Sequence, residues 1–199
     1  MEIKILKPEF GYGSNTYLIE SDGEYAIVDP STSDMIDVIA PKIKYIFLTH
    51  AHIDHMLTVT EWQEKSGAPV FVGQADEDKL KDSDKNVYRL FFSGSGGYYG
   101  KASVLSDGQK LQLGNTDITV MCTPGHTSGS IVYLIGDGAL VGDVVFARGG
   151  FGRYDLPSGN PTELVNSIKR IMSLPPETVL YPGHGETTTV KESREYFNL

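Results

Sequence analysis

All five histidines of this chain lie just after short apolar, strand-like segments. Three fall in the run Thr49-His50-Ala51-His52-Ile53-Asp54-His55, an H-x-H-x-D-H pattern. The fourth closes Thr123-Pro124-Gly125-His126, and the fifth sits in Tyr181-Pro182-Gly183-His184-Gly185. A fold that accepts this arrangement must bring three strand-end loops to one place. Packed rings and an aspartate would repel and desolvate one another without a cation. Imidazole is the commonest protein metal ligand, so the pattern predicts a divalent metal centre.

The spacing divides the ligands. His50 and His52 stand two apart on an extended loop, so both can reach one ion. Asp54 and His55 are adjacent, at the expected start of a helix, where a carboxylate is electrostatically favoured. They turn elsewhere, which implies a second ion. Gly125 and Gly183 are expected to permit the backbone conformation that aims His126 and His184 inward. Asp143 ends the apolar run Leu140-Val141-Gly142, where an unpaired carboxylate would be costly and a bridging position between metals removes the cost. Seven ligands for two ions, with room left for water, is a catalytic rather than a structural pattern.

The 199 residues suffice for one buried domain spanning 1–199. Strands are expected at Glu2–Lys7, Thr16–Glu20, Glu24–Val28, Tyr45–Leu48, Val70–Val72, Lys110–Leu113, Asp117–Met121, Ser130–Ile135, Ala139–Val141 and Thr178–Tyr181. Ser21-Asp22-Gly23 reads as a hairpin turn. Helices are expected at Ser33–Ala40, at Met56–Ser66 with Gly67 as cap, at Pro161–Ser173, and from Thr189 onward. Asn160, Pro161 and Glu163 read as N-cap, first residue and capping-box partner, with Leu164, Val165, Ile168, Ile171 and Met172 as the apolar face. Strands followed by helices occur once in each half, which predicts an α/β (α+β) fold of two sheets face to face with helices outside. The stretch 75–107, charged and then rich in Gly, Ser and aromatics, reads as an insertion or lid.

A formal charge of −9 without a basic cluster argues against nucleic acid. No apolar run is long enough for a membrane span. The single cysteine, Cys122, and the absence of a leader-like N-terminus point to a cytoplasmic setting. Cys122 itself reads as a small buried hydrophobe. A monomer or a homodimer is expected.

On the H-x-H-x-D-H run, His126, Asp143 and His184, the chain resembles the metallo-β-lactamase-fold superfamily. Asp29, in Ile27-Val28-Asp29-Pro30, resembles that family's first motif, a carboxylate that supports the ligand loops. The segments 122–130, 152–159 and 181–185 resemble the glyoxalase II-like, hydroxyacylglutathione hydrolase-type branch. The resemblance implies a four-layer αββα sandwich of two mixed sheets. It implies that His50, His52 and His126 hold one metal and Asp54, His55 and His184 the other, with Asp143 bridging. Zinc is the first expectation, with iron or manganese as alternatives. The implied reaction is hydrolysis of a thioester, such as a hydroxyacyl-glutathione or related acyl-thiol, by hydroxide generated at the metals, with Asp54 orienting the water. Enzymes of that branch carry a helical C-terminal extension, whereas 15 residues follow His184 here. The segment 75–107 is expected to wall the pocket instead. Arg148 and Arg153 are candidate clamps for a substrate carboxylate, and Tyr98 and Tyr99 candidate lid residues. Three other readings stay open: a mononuclear-iron persulfide dioxygenase, a lactonase or β-lactamase, and a metal-binding scaffold without turnover.

Overall fold

The structure, a computed structural model, describes residues 1–8 and 11–197. It is a sandwich of two mixed six-stranded sheets with helices on both outer faces. The first sheet runs in chain order: β1 (Glu2–Leu6), β2 (Thr16–Ser21), β3 (Glu24–Val28), β4 (Ile43–Phe47), β5 (Val70–Gly73), β6 (Ala102–Leu105). Its first three strands are antiparallel and the rest parallel. Between β3 and β5 the chain forms the one-turn helix α1 (Ile36–Ile39) and then α2 (Val59–Ser66); α3 (Tyr88–Phe91) precedes β6. The second sheet holds β7 (Lys110–Leu113), β8 (Thr116–Cys122), β9 (Ile131–Ile135), β10 (Gly138–Gly142), β11 (Val179–Pro182) and β12 (Thr188–Thr189), again in order, with only β10 and β11 parallel. Helices α4 (Pro161–Met172) and α5 (Val190–Phe197) belong to this half.

Period-two alternation builds the layers. On the first sheet Tyr17, Ile19, Ala26, Val28 and Phe47 face the second sheet, where they meet Ile118, Val120, Ile131, Tyr133 and Leu140. Their neighbours Leu18, Ile27, Ile46 and Leu48 face outward onto Ile36, Val59 and Trp62. Val132, Ala139 and Val141 likewise face Leu164, Ile168 and Ile171 of α4. β4 runs parallel to β5, and β8, β10 and β11 share one direction, so the loops that follow these strands are delivered to one edge of the sandwich.

Four local expectations need correction. Asp54 and His55 lie in a 3₁₀ turn, Ile53–His55, and α2 begins only at Val59. Val165 on α4 is exposed. The Asn160 side chain does cap α4, accepting from Thr162 and Glu163 amides at 3.0 and 3.2 Å. Glu163 does not complete a box, because the Asn160 amide donates instead to the Gly125 carbonyl (2.8 Å), tying α4 to the His126 loop. The reciprocal box occurs at α5, between Thr189 and Glu192. Finally, the stretch 75–107 is not a detached insertion: β6 is the edge strand of the first sheet, and Asp76, Leu80 and Tyr98 are buried. Among the described residues no helix is long and apolar enough to cross a membrane.

Candidate metal centre

The loops after β4, β8, β10 and β11 converge. His50, His52, His55 and His126 are almost fully buried, Asp54 and Asp143 are buried, and His184 stands half-open at the rim. Three groups bring ligand atoms together: His50, His52 and His126; His50, His55 and Asp143; Asp54, His55 and His184. The His126 Nε2 lies 3.2 Å from His50 Nε2 and 2.9 Å from His52 Nδ1. These spacings approach the edge of about 3.3 Å that metal–nitrogen bonds of ~2.0–2.1 Å impose on a tetrahedron. Asp143 Oδ1 is 3.2 Å from His55 Nε2, and its Oδ2 is 3.7 Å from His126 Nε2 and 3.6 Å from His184 Nε2. Asp54 Oδ2 accepts from His184 Nε2 at 3.1 Å.

The hydrogen bonds around the cluster set the ring orientations. His126 Nδ1 donates to the Arg153 carbonyl at 2.7 Å, and His55 Nδ1 donates to Asp29 Oδ2 at 2.8 Å. The Thr49 hydroxyl donates to Asp29 (2.7 Å) and can therefore accept from His50 Nδ1 (3.1 Å). With Nδ1 so engaged, Nε2 is the nitrogen each of these rings turns into the cluster, the one a metal would take. Inside, His52 Nε2, His55 Nε2 and Asp143 Oδ1 find no hydrogen-bond partner among the described residues although all are buried. Converging lone pairs and orphaned polar atoms are costly without a cation. This donor set of imidazoles and carboxylates fits a borderline divalent ion.

The electrostatics agree. Burial, reinforced by the neighbouring imidazoles, pushes His50 well below the usual histidine range. Burial, with His126 beside it, brings His52 down to about 3. Burial also opposes charge on Asp143 and Asp54, but the adjacent His55 outweighs it and holds both carboxylates ionised. For His55 burial is overcome by Asp143, Asp29 and Asp54, and its affinity for a proton rises. The second half of the cluster is thus a strongly cation-seeking site.

Two supports explain local sequence. Asp29 accepts from the Thr49 amide (2.8 Å) and hydroxyl and from His55, in a left-handed backbone conformation (φ 51°). Such strain at a non-glycine residue is characteristic of a functional site. Asn15 and Tyr17 were not evident from sequence; they hold the His184 loop by donating to the Pro182 carbonyl at 3.0 and 2.6 Å. Gly183 is needed for space rather than for backbone freedom: a Cβ there would stand 2.1 Å from Asp143 Oδ1. Gly125 is the one with positive φ (134°).

A cleft of about 510 Å³ opens over the cluster. His52, Asp54, His126, Asp143 and His184 form its floor, with Tyr12, Val87, Leu90, Phe91, Phe146, Arg153 and Leu156 as walls. Arg153 lines it, paired with Asp155 at 2.7–2.8 Å. Arg148 does not line it and pairs with Glu186 at 2.6 Å. Tyr98 is not a lid residue: its ring is core and its hydroxyl donates to Gln63 (2.5 Å). Tyr99 is exposed and away from the cleft lining. The wall residues that sequence reasoning missed, Leu90 and Phe91, are large apolar side chains left exposed on α3. The stretch 75–107 supplies part of the wall, through Val87, Leu90 and Phe91 rather than the glycine-flanked tyrosines.

The profile of the metallo-beta-lactamase superfamily matches residues 10–184. A probable metallo-hydrolase of Bacillus subtilis, YqgX, is 35% identical over 192 residues, covering 89% of this chain and 87% of that protein. Among solved structures, the B3 metallo-beta-lactamase BLEG-1 superposes with a TM-score of 0.88 at 29% identity, over 98% of this chain and 97% of that one. TTHA1623, solved in a di-iron-bound form, gives 0.84 at 30% identity, with 98% of each chain covered. These neighbours do not single out a glyoxalase II-like branch. Fold, histidine order and sequence similarity agree, and the chain belongs to the metallo-beta-lactamase superfamily.

Proposed function

We propose that this protein is a metal-dependent hydrolase of activated acyl compounds, and that its substrate is a thioester, a small acyl-thiol. The observation that carries the reading is the overlap of the three ligand groups: His50 and His55 each belong to two of them, and Asp143 lies between. His50, His52 and His126 would hold one cation and Asp54, His55 and His184 the other, with Asp143 shared. Two divalent ions so placed would supply Lewis acidity and a water acidified to near neutrality.

The chain's own groups do the rest. Asp54, on the cleft floor and held ionised, can accept a hydrogen bond from the attacking water and so orient it. Val87, Leu90, Phe91, Phe146 and Leu156 exclude water from one side and receive the apolar part of the substrate. Besides the ligand set, the titratable groups lining the cleft among the described residues are Tyr12 and Arg153. No further carboxylic acid or imidazole stands by to protonate a departing amine. A thiolate, leaving near a pKa of ~8.5, needs no such help. That chemistry favours a thioester over a lactam.

The test is elemental analysis of the purified protein followed by thioester, lactam and persulfide substrates compared by kcat/KM. Two ions per chain with thioesters turned over fastest is the expected result. One iron per chain with oxygen uptake on a persulfide, or preference for a lactam, would overturn the thioester assignment. A metal-loaded protein inert to all three would return the scaffold reading.

A further inference from the structure

We infer that Asp76 is a positioning residue for one half of the metal centre only, the trio His50, His52 and His126. The inference rests on the two-cation reading above. Asp76 follows β5 in the 3₁₀ turn Gln74–Lys79 and is fully buried. Its Oδ2 accepts from the Ala51 amide at 2.9 Å and the Thr127 hydroxyl at 2.7 Å. Its Oδ1 accepts from the Gly129 amide and from Lys79 Nζ, both at 2.9 Å. Ala51 lies between His50 and His52, and Thr127 follows His126. One carboxylate therefore joins the two loops that present the trio His50, His52 and His126. Lys79, itself buried, extends the brace to the Ser128 hydroxyl at 2.8 Å.

Stability alone does not explain such a group. A buried ion pair is often replaced by packed apolar side chains without loss. Apolar side chains cannot hold two backbone amides from different loops at a fixed separation. The sequence also accommodates the carboxylate closely: a Cβ at Gly129 would stand 2.6 Å from the Asp76 carboxyl carbon. Asp29 is the counterpart, binding His55 directly and Thr49 before it. Among the described residues the hydrogen bonds of Asp76 reach neither Asp54, His55, Asp143 nor His184. Asp76 thus acts on the first trio alone, whereas Asp29 reaches His55 directly and His50 through Thr49.

The experiment measures Zn²⁺ affinity of the intact protein by competition with a chromophoric chelator. Asp76→Asn keeps the side-chain volume but turns an amide nitrogen toward donors. It is placed in two backgrounds, His184→Ala, which spares the first trio, and His52→Ala, which spares the other half. In the His184→Ala background it should weaken the remaining ion about 10- to 100-fold, the usual effect of an outer-shell partner. In the His52→Ala background it should change affinity by no more than roughly threefold. Equal weakening in both, as general destabilisation would give, or none in either, overturns the inference. If Asp76→Asn does not fold, Thr127→Val removes one donor at nearly constant volume and is read by the same two comparisons. A parent chain that takes up fewer than two Zn²⁺ overturns the two-cation reading as well; two ions without selective loss overturns the role of Asp76 alone.

Discussion

Asp143 stands at the end of β10 with His55 on one side and His126 and His184 on the other, and its Oδ1 has no hydrogen-bond partner among the described residues. Its environment is built for a negative charge that only a cation completes. Asp143→Ala should therefore lower both zinc content and turnover, the latter by more than about the hundredfold that outer-shell substitutions cost. The far-ultraviolet circular dichroism should be unchanged, since no strand pairing depends on that carboxylate. Full metal content in this variant would remove Asp143 from the centre. Tyr98 sets the contrast. As a core residue bonded to Gln63, its change to Phe should cost about 0.5–1.5 kcal/mol in urea unfolding and leave KM unaltered. A raised KM would place Tyr98 in the substrate's path after all.

At the scale of elements, α3 and α4 separate cleft from scaffold. α3 presents Leu90 and Phe91 to the cleft, both substantially exposed. Leu90→Ser should raise KM for an apolar acyl thioester about 10-fold or more with little change in kcat, the mark of binding lost equally in ground and transition states. An unchanged KM across acyl chain lengths would show that α3 does not hold the acyl group. α4 is scaffold, and Asn160→Ala should cost about 1 kcal/mol of stability by freeing two amides, measured by urea titration. The same elements show what a reader of sequence can and cannot see. Alternation made the strands legible, because Tyr17 and Leu18 or Ile46 and Phe47 must face opposite layers. The residues that converge in the cluster were legible because the histidines are few and each follows an apolar, strand-like segment. Asp76 was not, because its partners include backbone amides at positions 51 and 129, and an amide carries no residue signature. Tyr98 was misread because the flanking glycines resemble a loose loop, whereas Gly97 approaches the Leu80 carbonyl and delivers the ring to the core.

For the molecule as a whole, the centre links cation binding, protonation and folding. Cations bound only by the native state add stability as RT ln(1 + [L]/Kd), about 2.7 kcal/mol at a hundredfold excess over Kd. Chelation should accordingly lower Tm, and Zn²⁺ should restore it. In the chelated protein, pH takes over part of that control. An unfolded histidine titrates near ~6.5. His52 in the folded chain is brought down by burial to about 3. Between those values the unfolded chain binds a proton that the native chain refuses, so stability falls as pH falls, by at most about 1.4 kcal/mol per unit for this group. His50 acts in the same direction, whereas His55 and His184, raised by neighbouring carboxylates, stabilise the native state at low pH and lose that effect as pH rises through their folded values. Net curves therefore mix signs, and a difference isolates one ring. Urea unfolding of the chelated parent and of His52→Gln should show the parent losing ground on the variant by roughly 2 kcal/mol between about pH 7 and about pH 5. A constant difference would mean that His52 is as free to take a proton in the folded chain as in the unfolded one, and that the buried trio does not exist in solution. With Zn²⁺ restored, the same acid sensitivity should reappear as metal release, because a proton on any ring of the trio competes with the ion for the same lone pair.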